Sequence, residues 1–96
     1  PVNLSTPEIN INFDKHGQQF EAMDSLSSHI DFPGANINTI DGVRVDYEDC
    51  WGLVRPSNTT PCLVLRFEAK DNTALIDIQE KFKKWFESCD ISVDDL

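Results

Sequence analysis

Basic residues are scarce in this 96-residue chain: eight Lys and Arg stand against seventeen Asp and Glu, leaving a formal charge of −9. Nucleic acid and anionic membrane surfaces carry the same sign and would be repelled, so neither is expected as a partner. No apolar stretch approaches the ~20 residues of a membrane-spanning helix. Cysteine is limited to Cys50, Cys62 and Cys89. An odd count, with no CxxC pair and no Cys/His cluster, speaks against a disulfide framework, a zinc site and thioredoxin-like redox chemistry. Reduced thiols in a cytoplasmic protein are the expectation. Neither GxGxxG nor the P-loop pattern occurs, which removes the usual dinucleotide and nucleoside triphosphate sites. Asp90, Asp94 and Asp95 have no EF-hand spacing and no glycine turn, so they read as a solvated acidic end rather than a cation site. The chain starts at Pro1, with no initiator Met and no signal-like run, and is expected to be a piece of a longer protein.

What is present suffices for one domain, since a chain of this size hides about 60–70% of its unfolded surface on folding. Residues 1–7 are polar and bounded by prolines, and read as a linker from a preceding domain. Ile9, Ile11 and Phe13 alternate with Asn10 and Asn12 as in a half-buried strand. Asp14 is the expected cap of a helix whose apolar stripe is Phe20, Met23, Leu26 and Ile30, and Pro33-Gly34 breaks the chain after it. Asn36–Ile40 and Val43–Tyr47, separated by Asp41-Gly42, predict a hairpin. Trp51–Val54 and Cys62–Ala69 predict two further strands, the second with Cys62, Val64, Arg66 and Glu68 on one face and Leu63, Leu65 and Phe67 on the other. Asp71 then caps a helix with Leu75, Ile78, Phe82, Trp85 and Phe86 on one stripe. Residues 89–96 read as an acidic, flexible tail. The order predicts an α+β domain over residues 8–88, with a mainly antiparallel sheet of four to five strands and two helices on one face.

Between the last two strands lies Arg55-Pro56-Ser57-Asn58-Thr59-Thr60-Pro61. Two prolines restrict this loop, and it offers one guanidinium, three hydroxyls and one side-chain amide. A fork of charged N–H donors beside neutral donors suits an oxyanion, above all a phosphate. Loops of Pro, Ser, Asn and Thr are also ordinary connectors, and Asn58-Thr59-Thr60 and Asn3-Leu4-Ser5 match an N-glycosylation pattern common by chance. A self-contained active site is not evident. Ser57 has no histidine near it in sequence, and His16 and His29, near opposite ends of the first helical region, read as surface or helix-end groups.

The wider context favours the phosphate reading. Asp41-Gly42-Val43-Arg44-Val45, then Trp51-Gly52-Leu53-Val54-Arg55-Pro56-Ser57-Asn58-Thr59-Thr60-Pro61, then Leu63-Val64-Leu65-Arg66-Phe67-Glu68-Ala69, resembles the C-terminal domain of the α-D-phosphohexomutases, most of all their bacterial phosphomannomutase/phosphoglucomutase branch. The resemblance runs from about Glu8 to Phe86 and rests on three segments in order and spacing. It implies a TATA-binding-protein-like fold, a name for shape from which no DNA binding follows. It implies that Arg55, Ser57, Asn58 and Thr59 fall on substrate phosphate-binding positions. Thr60 stands where many members carry glutamate, and Asn58 stands where phosphoglucosamine mutases typically carry glycine. The partners implied are mannose or glucose phosphates and the other domains of the same chain. The phosphoserine, the magnesium loop and the sugar-reading loop belong to those other domains, so no catalytic or metal residue is expected here. A non-catalytic anion-binding or protein-interaction module, using the sheet face around Val64, Arg66 and Glu68, is the alternative.

Overall fold

One long strand, with every second residue turned into the core, sets the architecture, seen here in a computed structural model that describes residues 3–93 and 96. In β6 (Cys62–Ala69), Leu63, Leu65, Phe67 and Ala69 enter the core. In β5 (Cys50–Pro56), paired antiparallel to it, Cys50, Gly52 and Val54 do the same. The period of two puts Trp51, Leu53, Arg55, Arg66 and Glu68 on the opposite face. β4 (Val43–Asp46) joins β5, and β3 (Asn36–Asn38) closes that edge. On the other side β6 carries both β1 (Leu4–Ser5) and β2 (Ile9–Asn12). Among the described residues the sheet is antiparallel throughout and has six strands.

The sixth strand is a correction to the expected four or five. It comes from Leu4–Ser5, within the segment read as linker: Leu4 pairs with Ala69, and Thr6 N–H donates to Phe67 at 3.1 Å. Pro1 and Val2 lie outside the described residues.

Two helices, α1 (Gln18–Ser27) and α2 (Asn72–Ser88), cover the Leu63–Leu65–Phe67 face, as expected. Gly52 leaves room for α2: a Cβ there would lie 2.7 Å from the Phe82 ring. The Trp85 indole N–H donates to Leu26 O at 3.1 Å, tying one helix to the other. Asp71 caps α2 as read from sequence, its carboxylate accepting the Ala74 N–H at 2.8 Å.

The start of α1 departs from the expectation. Its cap is Gly17, left-handed at φ 108°, and not Asp14. The register shifts with it: Gln19, Met23 and Leu26 are the buried positions, while Phe20 is 38% exposed and meets His16 edge-on. The hairpin also differs. Four residues, Thr39–Gly42, separate β3 from β4, because Asn38 Oδ1 accepts the Ile40 N–H and makes a local turn of its own. Gly42 (φ 77°) lies flat on β5, where a Cβ would fall 2.1 Å from Val54 O.

In place of the flexible tail expected over residues 89–96, Cys89–Val93 is packed. Asp90 is left-handed (φ 59°), and the N–H groups of Asp90 and Ile91 return to Glu87 O and Phe86 O. This Schellman closure seats Ile91 and Val93 in the core. Asp94 and Asp95 lie outside the described residues.

Candidate functional site

The proline-bounded stretch sits where β5 turns into β6. Arg55 and Pro56 end β5, opposite Val64 and Leu63, so the loop itself is Ser57–Pro61. Its backbone is closed tightly at both ends. Ser57 N–H donates to Cys62 O at 3.0 Å, Cys62 N–H to Thr60 O at 2.7 Å around Pro61, and Phe13 N–H to Pro61 O at 2.8 Å.

The four expected phosphate-binding residues are thus brought to one end of the sheet, but with different roles. Arg55 lies on a strand, on the face away from the helices. Its guanidinium is half exposed and 3.9 Å from Asp41, itself 78% exposed. Such a pair is loose and water competes for it, so the fork stays open to another anion. Ser57 Oγ turns inward and accepts the N–H groups of Thr59 (3.4 Å) and Thr60 (3.2 Å), holding the turn shut. Asn58 and Thr59 are exposed, and among the described residues their side chains make no hydrogen bond within the fold. Thr60 is exposed too and enters the network through its backbone.

Two residues outside the expected set support the loop from the side of α1. His16 Nε2 lies 3.2 Å from Asn58 O. Gln19, with no exposed surface, donates from Nε2 to Ser57 O (3.1 Å) and Thr60 O (3.3 Å). The sequence signal for Gln19 is faint: it precedes Met23 and Leu26 at helical spacing, yet glutamine on an amphipathic helix ordinarily faces water. His16, expected as a surface or helix-end group, is exposed and also approaches the loop.

Other candidate centres are excluded by their partners. Arg44 is committed to Asp46 through a fork of 2.9–3.2 Å and lies 4.3 Å above the Trp51 ring. Hydrogen bonding to Asp46, outweighing desolvation, raises its pKa. A cleft of about 150 Å³ lined by Tyr47, Asp49, Trp51 and Lys70 lies at the opposite end of β5. Burial pushes the Cys50 thiol beside it up to about 11, which keeps it protonated and a poor nucleophile at neutral pH. Among the described residues no group of three or more His, Cys, Asp or Glu converges as a metal site, and no helix is long and apolar enough to cross a membrane.

This geometry has known relatives. Residues 8–84 match the family described as phosphoglucomutase/phosphomannomutase, C-terminal domain. A phosphomannomutase/phosphoglucomutase of Pseudomonas putida is 53% identical over 83 residues, 86% of this chain and 18% of that protein. A phosphoglucomutase of Neisseria gonorrhoeae is 46% identical over 89 residues, 92% of this chain and 19% of its own length. The crystal structure of a phosphoglucomutase/phosphomannomutase family protein from Burkholderia thailandensis superposes with a TM-score of 0.82 at 41% identity, over 94% of this chain and 18% of that one. The chain therefore spans about a fifth of the length of these relatives. With three-quarters or more of its residues matched by the family, the chain belongs to the phosphoglucomutase/phosphomannomutase C-terminal domain family.

Proposed function

We propose that this chain is the substrate-phosphate-binding domain of a phosphohexomutase, an enzyme that interconverts hexose 1-phosphate and 6-phosphate through a phosphoserine and a bisphosphate intermediate. The observation that carries this reading is the division of labour in the Ser57–Pro61 loop. Its backbone is tied to β6, β2 and α1, while the side chains of Asn58 and Thr59 are left outside with the Arg55 fork nearby on the strand end. A loop that served only to connect strands has no need of a fixed backbone beneath unused donors.

In such a reaction the phosphate that is not reacting must be held while the other is transferred, because positioning carries much of phosphoryl transfer. Arg55 supplies charge-assisted bonds, and Asn58 and Thr59 supply directional neutral ones. Ser57 contributes its hydroxyl proton while its oxygen closes the turn. The neutral donors also allow release when the intermediate turns end for end between half-reactions. A terminal domain carrying this grip closes over the substrate and opens again during turnover. The described residues do not fit the magnesium that the family resemblance implies, and no step proposed for this chain uses it. Mannose and glucose phosphates are the substrate class, and a cytoplasmic setting follows from them.

The chain by itself is expected to turn over no glucose 1-phosphate. In the full-length parent, calorimetric titration with glucose 1-phosphate tests the site: Arg55→Ala weakens binding about tenfold or more, with an unchanged melting temperature. Unaltered affinity in Arg55→Ala sinks the phosphate reading and moves the interaction-module alternative ahead.

A further inference from the structure

Among the described residues, Gln19 is the one polar side chain in the fully buried set. An amide buried without partners is costly, so a helix position that only needed filling favours Leu or Met. Gln19 is satisfied at both ends instead. Oε1 accepts the Gly17 N–H at 2.8 Å, which fixes the left-handed turn into α1, and Nε2 reaches two carbonyl oxygens of the loop.

Those oxygens belong to Ser57 and Thr60, which bracket the exposed Asn58 and Thr59. Carbonyl oxygens repel a phosphate, so a loop that grips one must turn them away. Here Ser57 O and Thr60 O point to Gln19, and Asn58 O points to His16 Nε2. In a trans peptide the N–H lies opposite the C=O. Drawing Ser57 O toward α1 therefore aims the Asn58 N–H outward, on the side of the exposed Asn58 and Thr59 side chains. The Thr59 and Thr60 N–H groups go to Ser57 Oγ, which leaves the Asn58 N–H as the loop's outward backbone donor.

We propose that Gln19 is a positioning residue for the phosphate loop, turning its acceptors inward so that the Asn58 backbone N–H and the Asn58 and Thr59 side chains face the substrate phosphate. The inference rests on the phosphate-binding reading of the loop. Gln19 touches no substrate and acts through the backbone it holds. Since the anchored phosphate is bound alike in ground and transition states, losing this support raises KM more than it lowers kcat.

The test uses the full-length parent enzyme with Gln19→Met, Gln19→Glu and Arg55→Ala, assayed with glucose 1-phosphate at a temperature where melts show each variant folded. Gln19→Met keeps the reach and loses the amide, and is expected to raise KM about tenfold while kcat changes less than about threefold. Gln19→Glu keeps an acceptor for Gly17 N–H but offers the loop carbonyls a donor only when its carboxyl is protonated. Its KM, relative to the unaltered enzyme, is expected to fall toward parity near about pH 5.5 and to climb by about pH 8. If Arg55→Ala raises KM and Gln19→Met, folded, does not, the positioning role is overturned while the phosphate site stands. If neither changes KM, the phosphate reading falls and takes this inference with it. Should Gln19→Met fail to fold, the Gln19→Glu profile decides: a KM ratio independent of pH overturns the proposal.

Discussion

Helix α2 buries Ala74, Ile78, Phe82, Trp85 and Phe86, whereas α1, on the same face of the sheet, buries Met23, Leu26 and the amide of Gln19. The first helix is seven residues shorter and begins at a glycine without a capping side chain; the second begins at Asp71, whose carboxylate is the cap. Apolar area sets how strongly an element is held, at ~25 cal/mol per Å² removed from water. By that measure α2 holds the fold. The inward polar group of α1 goes to the loop between β5 and β6, so α1 couples the fold to the candidate site. Stability and phosphate binding are expected to respond to different helices, and the following substitutions probe that division.

The largest effect is expected at Phe82. Its ring meets Phe67 at 4.9 Å, Trp85 at 5.2 Å and Phe32 at 5.4 Å, and closes over Gly52. Phe82→Ala leaves a cavity no neighbour fills and should cost ~3–5 kcal/mol, a large part of the ~5–15 kcal/mol typical of a domain. Denaturant titration of the isolated chain reads this directly. Glucose 1-phosphate affinity of the folded fraction in the full-length parent should be unchanged; a matching loss of affinity would mean that α2 also shapes the site.

Arg55 should show the reverse pattern. If Arg55 grips the substrate phosphate as proposed, Arg55→Ala should cost ~1.5–3 kcal/mol, or about ten- to a hundredfold in kcat/KM of the full-length parent, without moving its thermal midpoint. Arg55→Lys restores part of the loss, since an ammonium keeps the charge and loses the planar fork. Full activity in Arg55→Ala, or loss only through unfolding, would erase the contrast between the two regions.

Helix caps sharpen the comparison at smaller scale. Asp71→Ala should cost ~1 kcal/mol, because it frees the Ala74 N–H at the start of the helix that holds the fold. Asp14→Ala should cost nothing measurable beyond a surface substitution, as Asp14 is exposed and Gly17 is the cap of α1. Equal losses in thermal melts would show that Asp14 caps the helix in solution after all.

How much of this was legible in the sequence follows the same division. The second half of β6 and α2 are written in clear periods of two and of three to four, the apolar runs of β5 and early β6 still read as strands between turn residues, and Asp71 stands one residue before its helix. The start of α1 misleads because two stripes fit almost equally well, Phe20–Met23–Leu26 and Gln19–Met23–Leu26. Choosing the second requires knowing that the loop's carbonyls await an amide thirty-eight positions away. Leu4–Ser5 is too short for an alternation to be visible, and its strand exists because β6 extends beyond β2 and offers it an edge. At the chain's end the acidic composition hid Ile91 and Val93, whose burial depends on Asp90 accepting a left-handed backbone. In the loop, residue types suggested an anion grip, but not that Arg55 stands on a strand or that Ser57 Oγ is spent on closing the turn.

That last detail separates two substitutions that composition alone would rank as equal. Ser57→Ala and Thr59→Ala each remove one hydroxyl from an exposed loop, and each should cost about 0.5–1.5 kcal/mol in substrate binding, as neutral bonds that water partly replaces. The Thr59 hydroxyl makes no bond within the fold among the described residues, so its loss should be confined to its proposed contact with the phosphate. Ser57 also holds the N–H groups of Thr59 and Thr60, so its loss loosens the turn that presents Asn58. Ser57→Ala should therefore lie at the upper end of the range and Thr59→Ala at the lower, with Ser57→Thr close to the unaltered enzyme because the oxygen is retained. The measurement is KM for glucose 1-phosphate in the full-length parent. Were Thr59→Ala the costlier of the two and Ser57→Ala silent, the turn would be holding its shape without Ser57, and the support attributed to α1 would have to carry the loop unaided.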